Sequence, residues 1–347
     1  MSRYWTLSGK PLGGWPDEGT FVLRDEPLPM PAQGQALTRT IYISLDPYQW
    51  GYKRRSTEPK GAPCHARTIS QVLESRMDGF AAGDIVFNTN GWAETGLMGE
   101  GVWRPSYMVP RKLDPKQLGR ISYGVGVLGM LGLTAYAGLI VMAEPKAGET
   151  VVVSAASGGV GQIVGQLAKS RGARVVGIAG KEEKCRFVVE ALGFDACVSH
   201  LSPTMAADLK KACPNGVDVY FENVGGAVFD AVLPLFNQGA RMTICGLIAH
   251  YGDAPGADAR AALMARGKPV FEARGVTVRD LFVGDFAATH YDLFLNDVAP
   301  LVASGKVKYR EDIRKGIENV PAAFSEMLRG ENFGKMLVQV GDDPTGK

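Results

Sequence analysis

The chain has 347 residues, enough for about two domains at roughly 150 residues each. Apolar residues make up 46% and charged residues 21%, with Lys and Arg at 38 against Asp and Glu at 36, a balance that excludes a disordered chain and gives no sign of a nucleic-acid or anionic-membrane partner. The five cysteines, at positions 64, 185, 197, 213 and 245, form no C-x-x-C pair and are odd in number, which argues against a zinc knuckle, a redox dithiol and a secreted disulfide framework.

The opening MSRYWTLSGKPLGGWP is polar and lacks the apolar run of a signal peptide, so a cytoplasmic protein is expected. Up to about residue 120 the texture is β-rich: short runs at Gly19–Leu23, Gln35–Ser44, Gln71–Glu74 and Ile85–Phe87 alternate with Pro and Gly clusters. Gly124–Ala143 is the most apolar stretch and predicts a buried helix rather than a membrane span, because it is broken by Gly and carries Thr134 and Tyr136. From Thr150 strands and helices alternate. Strands are predicted at Thr150–Ser154, Ala173–Ile178, Asp195–Val198, Val217–Glu222 and Ala240–Cys245, and helices at Val160–Ser170, Glu182–Leu192, Pro203–Ala212 and Gly226–Phe236. That spacing means right-handed βαβ units on a parallel sheet. The end of the chain returns to the first texture, with a strand-like Lys335–Val340. The expected architecture is α/β: a β-rich domain made of residues 1–125 plus 310–347, with a doubly wound, Rossmann-type domain of residues 126–309 inserted in it.

Between the strand Thr150–Ser154 and the helix after it lies Ala155-Ala-Ser-Gly158-Gly159-Val160-Gly161. Gly158 and Gly159 permit a tight turn and close approach to a pyrophosphate, Gly161 permits close helix–sheet packing, and the helix N-terminus offers amide donors and partial positive charge. A dinucleotide site is therefore expected here. At the tip of the second strand an NAD site would carry Asp or Glu for the ribose hydroxyls, but Val175-Val-Gly-Ile-Ala179-Gly180 has none and is followed by Lys181 and Lys184. Cations without a carboxylate suit the 2′-phosphate of NADPH/NADP.

With these residues in place the chain resembles the zinc-independent medium-chain dehydrogenase/reductases, in the branch of alkenal and enone double-bond reductases. Ser44-Leu-Asp-Pro-Tyr48 is similar to the branch's VDPYMR box, and Glu74-Ser75 with Phe80-Ala-Ala-Gly83-Asp84 to its ES…FKPGD. Gly129-Met-Leu-Gly-Leu-Thr-Ala-Tyr136, Phe221-Glu-Asn223-Val-Gly-Gly226, Cys245-Gly246-Leu-Ile-Ala-His-Tyr251 and Asn332-Phe-Gly-Lys335 match later boxes in the right order. The resemblance implies a GroES-like β-rich domain around the Rossmann domain. It also implies cofactor contacts at Gly158, Gly159, Val160, Gly161, Lys184, Asn223, the Cys245–Tyr251 segment with Cys245, Gly246 and Tyr251, Leu281, Phe282, Val283 and Asn332. His200 stands where the branch has a Tyr on the 2′-phosphate; a structural histidine is the other reading.

The Gly-His-Glu of the superfamily's zinc alcohol dehydrogenases is absent, and Cys64-His65, being adjacent, makes a poor start for a tetrahedral site, so no metal is expected. A metal-free cleft suits an α,β-unsaturated carbonyl, where hydride goes to the β-carbon and one neutral donor steadies the enolate oxygen. Tyr251 is the expected donor, by its place after the strand end and by the aligned tyrosine of the branch. Tyr48, Tyr52 and Trp50 are expected to line the substrate side, with Trp92 and Trp103 as further aromatic candidates. Lys53, Arg54 and Arg55 read either as a carboxylate-attracting rim or as a solvated turn. Gly252–Ala261 reads either as a mobile lid or as a surface loop. The expected partner is a small enal or enone, with no nucleic acid and no membrane, and the resemblance implies a homodimer through edge strands in the 240–280 region. A metal-free quinone reductase and a non-catalytic NADP-binding protein are the competing readings. The departures from the branch, at Gln49-Trp50-Gly51-Tyr52, Ala66, Ser70 and Gly252, all fall on the substrate side.

Overall fold

The computed structural model describes residues 1–346. Its strands, in chain order, are β1 (Ser2–Leu7), β2 (Phe21–Glu26), β3 (Gln35–Ser44), β4 (Thr68–Ser75), β5 (Ile85–Asn88), β6 (Thr95–Gly99), β7 (Arg111–Lys112), β8 (Thr150–Ser154), β9 (Arg174–Ala179), β10 (Ala196–Ser199), β11 (Val217–Glu222), β12 (Phe236–Ile244), β13 (Thr277–Asp280), β14 (Glu311–Lys315) and β15 (Lys335–Gln339). The chain divides into two compact units: unit 1 is Met1–Gly129 with the segment from Glu311 on, and unit 2 is Met130–Arg310.

Unit 1 holds a seven-stranded sheet in the order β14-β15-β3-β4-β5-β7, with β6 also on β3, and a β1-β2 pair. β3 organises it, pairing antiparallel with β15, β4 and β6. Its β-branched and aromatic residues Ile41 and Tyr42 pack with Ile69, Phe87, Ile121 and Leu337. Buried polar residues are joined rather than stranded: Asn88 Nδ2 donates to Thr38 Oγ1 at 3.0 Å, Asn90 Nδ2 to Thr40 Oγ1 at 2.9 Å, and Ser70 Oγ to Asn88 Oδ1 at 2.8 Å. A network satisfied in this way pins strand register, since a slip by one residue would orphan every member.

Unit 2 holds a six-stranded parallel sheet in the order β10-β9-β8-β11-β12-β13. The order runs outward in one direction from β8 and in the other from β11, so the switch point lies between them, at strands whose Val151, Val152, Val153, Val219, Tyr220 and Phe221 are all fully buried. The helix Gly161–Ser170 lies so close to the sheet that a Cβ on Gly165 would fall 1.8 Å from Phe194 Cζ.

The apolar stretch differs from expectation. Instead of one helix, Gly124–Ala143 contains the end of a 3₁₀ segment (Ile121–Val125), an α-helix (Met130–Tyr136) and a π-helical segment (Ala137–Ala143). The wider turn goes with the close approach of Gly138, where a Cβ would lie 2.7 Å from Phe221 and 2.8 Å from Leu281, and its carbonyl accepts from Thr243 Oγ1 at 2.9 Å. Of the helices outside the predicted elements, the two longest, Ala259–Arg274 and Tyr291–Ala303, each have a proline inside, Pro269 and Pro300, which masks the helical pattern; Tyr48–Arg54 and Val320–Leu328 are shorter.

Candidate functional site

In unit 2 the sequence-predicted residues gather along the C-terminal ends of the parallel strands. After β8 the chain turns through Ala155, at φ +49°, and Gly158 N donates to Ala155 O at 2.9 Å. A Cβ on Gly161 would meet that same carbonyl at 2.3 Å, so glycine is required for the turn to close. Gly158, Gly159 and Val160 are half-buried, and the helix starting at Gly161 has no side-chain cap.

The tips of β9 and β10 bring Lys184 and His200 together. Gly180 follows β9, and a Cβ there would lie 3.4 Å from His200 Nε2. Lys184, in the first turn of the helix Glu182–Glu190, is buried to 4% exposure rather than solvated. His200 is held below its ordinary pKa by burial and by the Lys184 charge, so it is a neutral donor–acceptor at the edge of a cationic site. Lys181 is exposed at the helix start. No carboxylate stands at the β9 tip, and this donor set fits a 2′-phosphate better than a 2′-hydroxyl.

At the β11 and β12 tips, Asn223 donates Nδ2 to Ser154 O at 2.7 Å and its backbone N to Ser154 Oγ at 2.7 Å. Glu222, which the sequence did not single out, organises this corner: fully buried, it accepts from Ser154 Oγ at 2.8 Å and from Val224 N at 2.7 Å, and burial raises its pKa. Cys245 N and Gly246 N both donate to Glu222 O, at 2.8 and 3.2 Å. The chain then makes a 3₁₀ turn, Ile248–His250, that delivers Tyr251. The half-buried Tyr251 ring reaches back so that its hydroxyl would lie 3.0 Å from a Cβ on Gly246; any side chain at 246 would crowd it. Burial pushes the Cys245 thiol up to about 12, so the thiol keeps its proton.

Leu281 N bonds Ile244 O at 2.9 Å, extending the β12–β13 edge, and Phe282 and Val283 follow it, Phe282 being 51% exposed. Asn332 is not among these residues: it belongs to unit 1, where its Nδ2 donates to Gly334 O at 2.7 Å just before β15. The stretch from Gly252 is a short loop tied by His250 Nδ1 to Asp253 at 2.8 Å, and Ala259–Ala261 already belong to a helix, capped by Asp258 accepting from Ala261 N at 2.8 Å.

Unit 1 has a second concentration of chemistry around the short helix Tyr48–Arg54. Tyr48 and Tyr52 are half-buried, and Trp103 is 39% exposed. Trp50 and Trp92 are core residues, at 1% and 0%, and Trp50 Nε1 donates to Gly14 O at 2.9 Å, so neither opens to solvent. Lys53 corrects the reading of the basic triplet. Its ammonium is buried, 3.0 Å from Glu58 and 4.8 Å from the Trp92 ring centroid, and so is neither a rim charge nor a solvated turn.

Two sequence boxes also meet here. Asp46 of the early box is bonded to Arg67 at 2.9 Å and to Lys335 of the last box at 3.2 Å. Burial works to raise Asp46, but the two cations hold it down at about 2; burial brings Lys335 down to about 8. Among the described residues no three His, Cys, Asp or Glu side chains are grouped as a metal site.

Comparison with known proteins agrees with the geometry. Residues 159–294 match a family described as zinc-binding dehydrogenase, and residues 3–103 match one described as the N-terminal domain of oxidoreductase. The chain is 41% identical to the NADPH-dependent curcumin reductase of Escherichia coli, over 99% of this chain and 98% of that one. It is 34% identical to a 2-alkenal reductase (NADP(+)-dependent) of Nicotiana tabacum, over 94% of each. The crystal structure of CurA from Vibrio vulnificus in complex with NADPH superposes with a TM-score of 0.84 at 38% identity, covering 98% of this chain and all of that one (100%). The chain belongs to the medium-chain dehydrogenase/reductase family, in the branch that contains these double-bond reductases.

Proposed function

We propose that the chain reduces the carbon–carbon double bond of α,β-unsaturated aldehydes and ketones with NADPH. The observation that carries the reading is the Lys184–His200 pair beyond a β9 tip without a carboxylate, on the same strand edge as Tyr251. Gly158–Gly161 and the helix after them would hold the pyrophosphate, Lys184 and His200 the 2′-phosphate, and Asn223, Cys245–Tyr251 and Leu281–Val283 the remainder. When bound, the cofactor supplies the hydride.

The protein's own contribution is then electrostatic and steric. Tyr251 holds a neutral hydroxyl where negative charge grows on the carbonyl oxygen, a charge that a dry site stabilises far more than water would. The proton of that hydroxyl, or a proton relayed through it, completes the saturated carbonyl product. Half-buried Tyr48 and Tyr52 are assigned to the substrate side, and Trp50, a core residue bonded to Gly14, is not.

The test is NADPH oxidation with an aliphatic enal, an aryl enone, a quinone and a saturated aldehyde. Consumption with the enal or enone, a saturated carbonyl as product and no reaction of the saturated aldehyde support the reading. Turnover of the quinone alone would replace it with quinone reduction, and NADPH binding without turnover of any of the four would replace it with a non-catalytic role.

A further inference from the structure

All five cysteines are free thiols, and two of them meet in unit 2. Cys197 lies on β10, the strand at one edge of the parallel sheet, in register with Gly177 of β9. Its sulfur is on the helix-covered face: a Cβ on Gly177 would lie 3.2 Å from Cys197 Sγ and 3.0 Å from Val188 Cγ1. Cys185 shares the buried face of the helix Glu182–Glu190 with Val188, one turn earlier. The absent side chain at Gly177 leaves the space in which the two thiols reach each other, and they are hydrogen-bonded.

The pair is polarised. Cys197 is held above the ordinary thiol range, first by its hydrogen bond to Cys185 and then by burial, so it keeps its proton and donates it to the bond. Cys185 accepts, and that bond holds it below the ordinary range against the opposing effect of burial. The other three thiols are pushed up by burial, Cys64 and Cys245 to about 12 and Cys213 to about 11. Cys185 is therefore the thiol most readily ionised, and a second thiol already touches it. Cys197 is only half-buried, on an edge strand, which brings the pair close to solvent.

Both thiols adjoin the residues assigned to the 2′-phosphate. Lys184 precedes Cys185 in the helix, and His200 follows Cys197 by three residues, its backbone N donating to Ala179 O at 2.8 Å. A disulfide of about 2.05 Å is far shorter than a hydrogen bond between sulfurs, so closing it moves one backbone. β10 is fixed by its ladder to β9, which leaves the helix start, with Lys184, as the part that shifts. We infer that Cys185 and Cys197 are an oxidation site that a hydroperoxide closes to a disulfide, and that closure weakens NADPH binding by displacing Lys184. This rests on the assignment of Lys184 to the 2′-phosphate made above. In the first step the Cys185 thiolate attacks the peroxide: an S–O bond forms, the O–O bond breaks, and the departing oxygen takes a proton from solvent. Cys197 then attacks the sulfenic sulfur, an S–S bond forms, the S–O bond breaks, and the hydroxyl leaves as water with the Cys197 proton. The two thiols are oxidised by two electrons and the peroxide is reduced by two.

The experiment treats the full-length wild type, Cys185→Ser, Cys197→Ala and the double variant with hydrogen peroxide. Remaining thiols are blocked with iodoacetamide under denaturing conditions, and peptide masses locate any Cys185–Cys197 link. NADPH and NADH affinities are read by fluorescence titration of the reduced, oxidised and dithiothreitol-treated forms, and Tm controls for folding. The expected result in wild type is a Cys185–Cys197 link, with NADPH affinity lowered about 10-fold, the worth of one weakened hydrogen bond to a charged group, and NADH affinity nearly unchanged. Dithiothreitol should restore NADPH affinity. Cys197→Ala should form no link and pass instead to irreversible oxidation of Cys185, and the double variant should keep its NADPH affinity throughout. Alkylation of both Cys185 and Cys197 in peroxide-treated wild type overturns the inference. So does a link that leaves NADPH affinity unchanged or weakens NADPH and NADH equally. If reduced wild type does not prefer NADPH to NADH, the 2′-phosphate assignment itself fails; the oxidation site then stands or falls on the peptide masses alone.

Discussion

In the proposed reaction Tyr251 acts on the substrate oxygen and Lys184 on the cofactor phosphate. The Tyr251 hydroxyl is held over Gly246, at a position no side chain there would tolerate. Tyr251→Phe is expected to lower kcat about 10²-fold, the scale of one oxyanion donor, with NADPH affinity unchanged within a few fold. Pre-steady-state and steady-state rates with an enone check this, and an unaltered kcat would mean that another donor serves. Lys184→Ala is expected to weaken NADPH about 10²-fold and NADH hardly at all, because only the former carries the extra dianion. Equal losses in titrations of both nucleotides would remove the phosphate assignment. Lys53, adjacent to two further cations in sequence, turns inward to Glu58, and removing it leaves a buried carboxylate without its counter-ion. Lys53→Met should cost about 3 kcal/mol in chemical denaturation, and adding Glu58→Gln should recover much of that, because the second change removes the stranded charge.

Elements were legible where pattern and burial coincide. Thr150–Ser154, Val217–Glu222 and Gln35–Ser44 begin and end as expected, since each is a β-branched or apolar run closed by a polar or turn residue. The helix Ala259–Arg274 was missed because its residues do not separate into an apolar and a polar face: Leu263, Gly267 and Phe271 are the buried ones, and Pro269 interrupts the pattern. The π-helical turn at Ala137–Ala143 is illegible for another reason, since it lies against the ring of Phe221 from a distant strand. At this scale Gly165 is decisive. Gly165→Ala would place a methyl on Phe194, and although alanine favours helix, overpacking should dominate and lower stability by about 2 kcal/mol. Thermal melts of Gly165→Ala alone and with Phe194→Leu would show whether relief of the ring restores Tm.

At the scale of the molecule, unit 1 is closed by a segment that returns after Arg310, and the first residue of that return, Glu311, is a buried carboxylate. It accepts from Ser122 Oγ at 2.9 Å, and burial raises its pKa to about 7. Folded Glu311 therefore holds its proton between the ordinary carboxylate range and about 7, where an unfolded chain has released it. Its contribution to stability is full below about 4 and is lost as pH rises through about 7. Glu311→Gln, which can still accept from Ser122, should flatten the decline of Tm between pH 5 and 8 and stabilise the protein at pH 8 by on the order of 1–3 kcal/mol. A wild-type slope retained in the variant would place the titration elsewhere.

By itself the sequence determined the alternation of strands and helices, the glycine turn after β8, the missing carboxylate after β9 and the order of the family boxes, because these depend on neighbours in the chain and on backbone conformation. Tertiary structure decided which charges are buried and with whom. Asp46 meets Lys335 across nearly the whole length of the sequence, Lys53 turns away from Arg54 and Arg55 toward Glu58 and Trp92, and His65, dismissed as a metal ligand, becomes the partner of Tyr48. Such pairings are set by sheet register and by the low dielectric of a packed interior, and neither is written in local spacing.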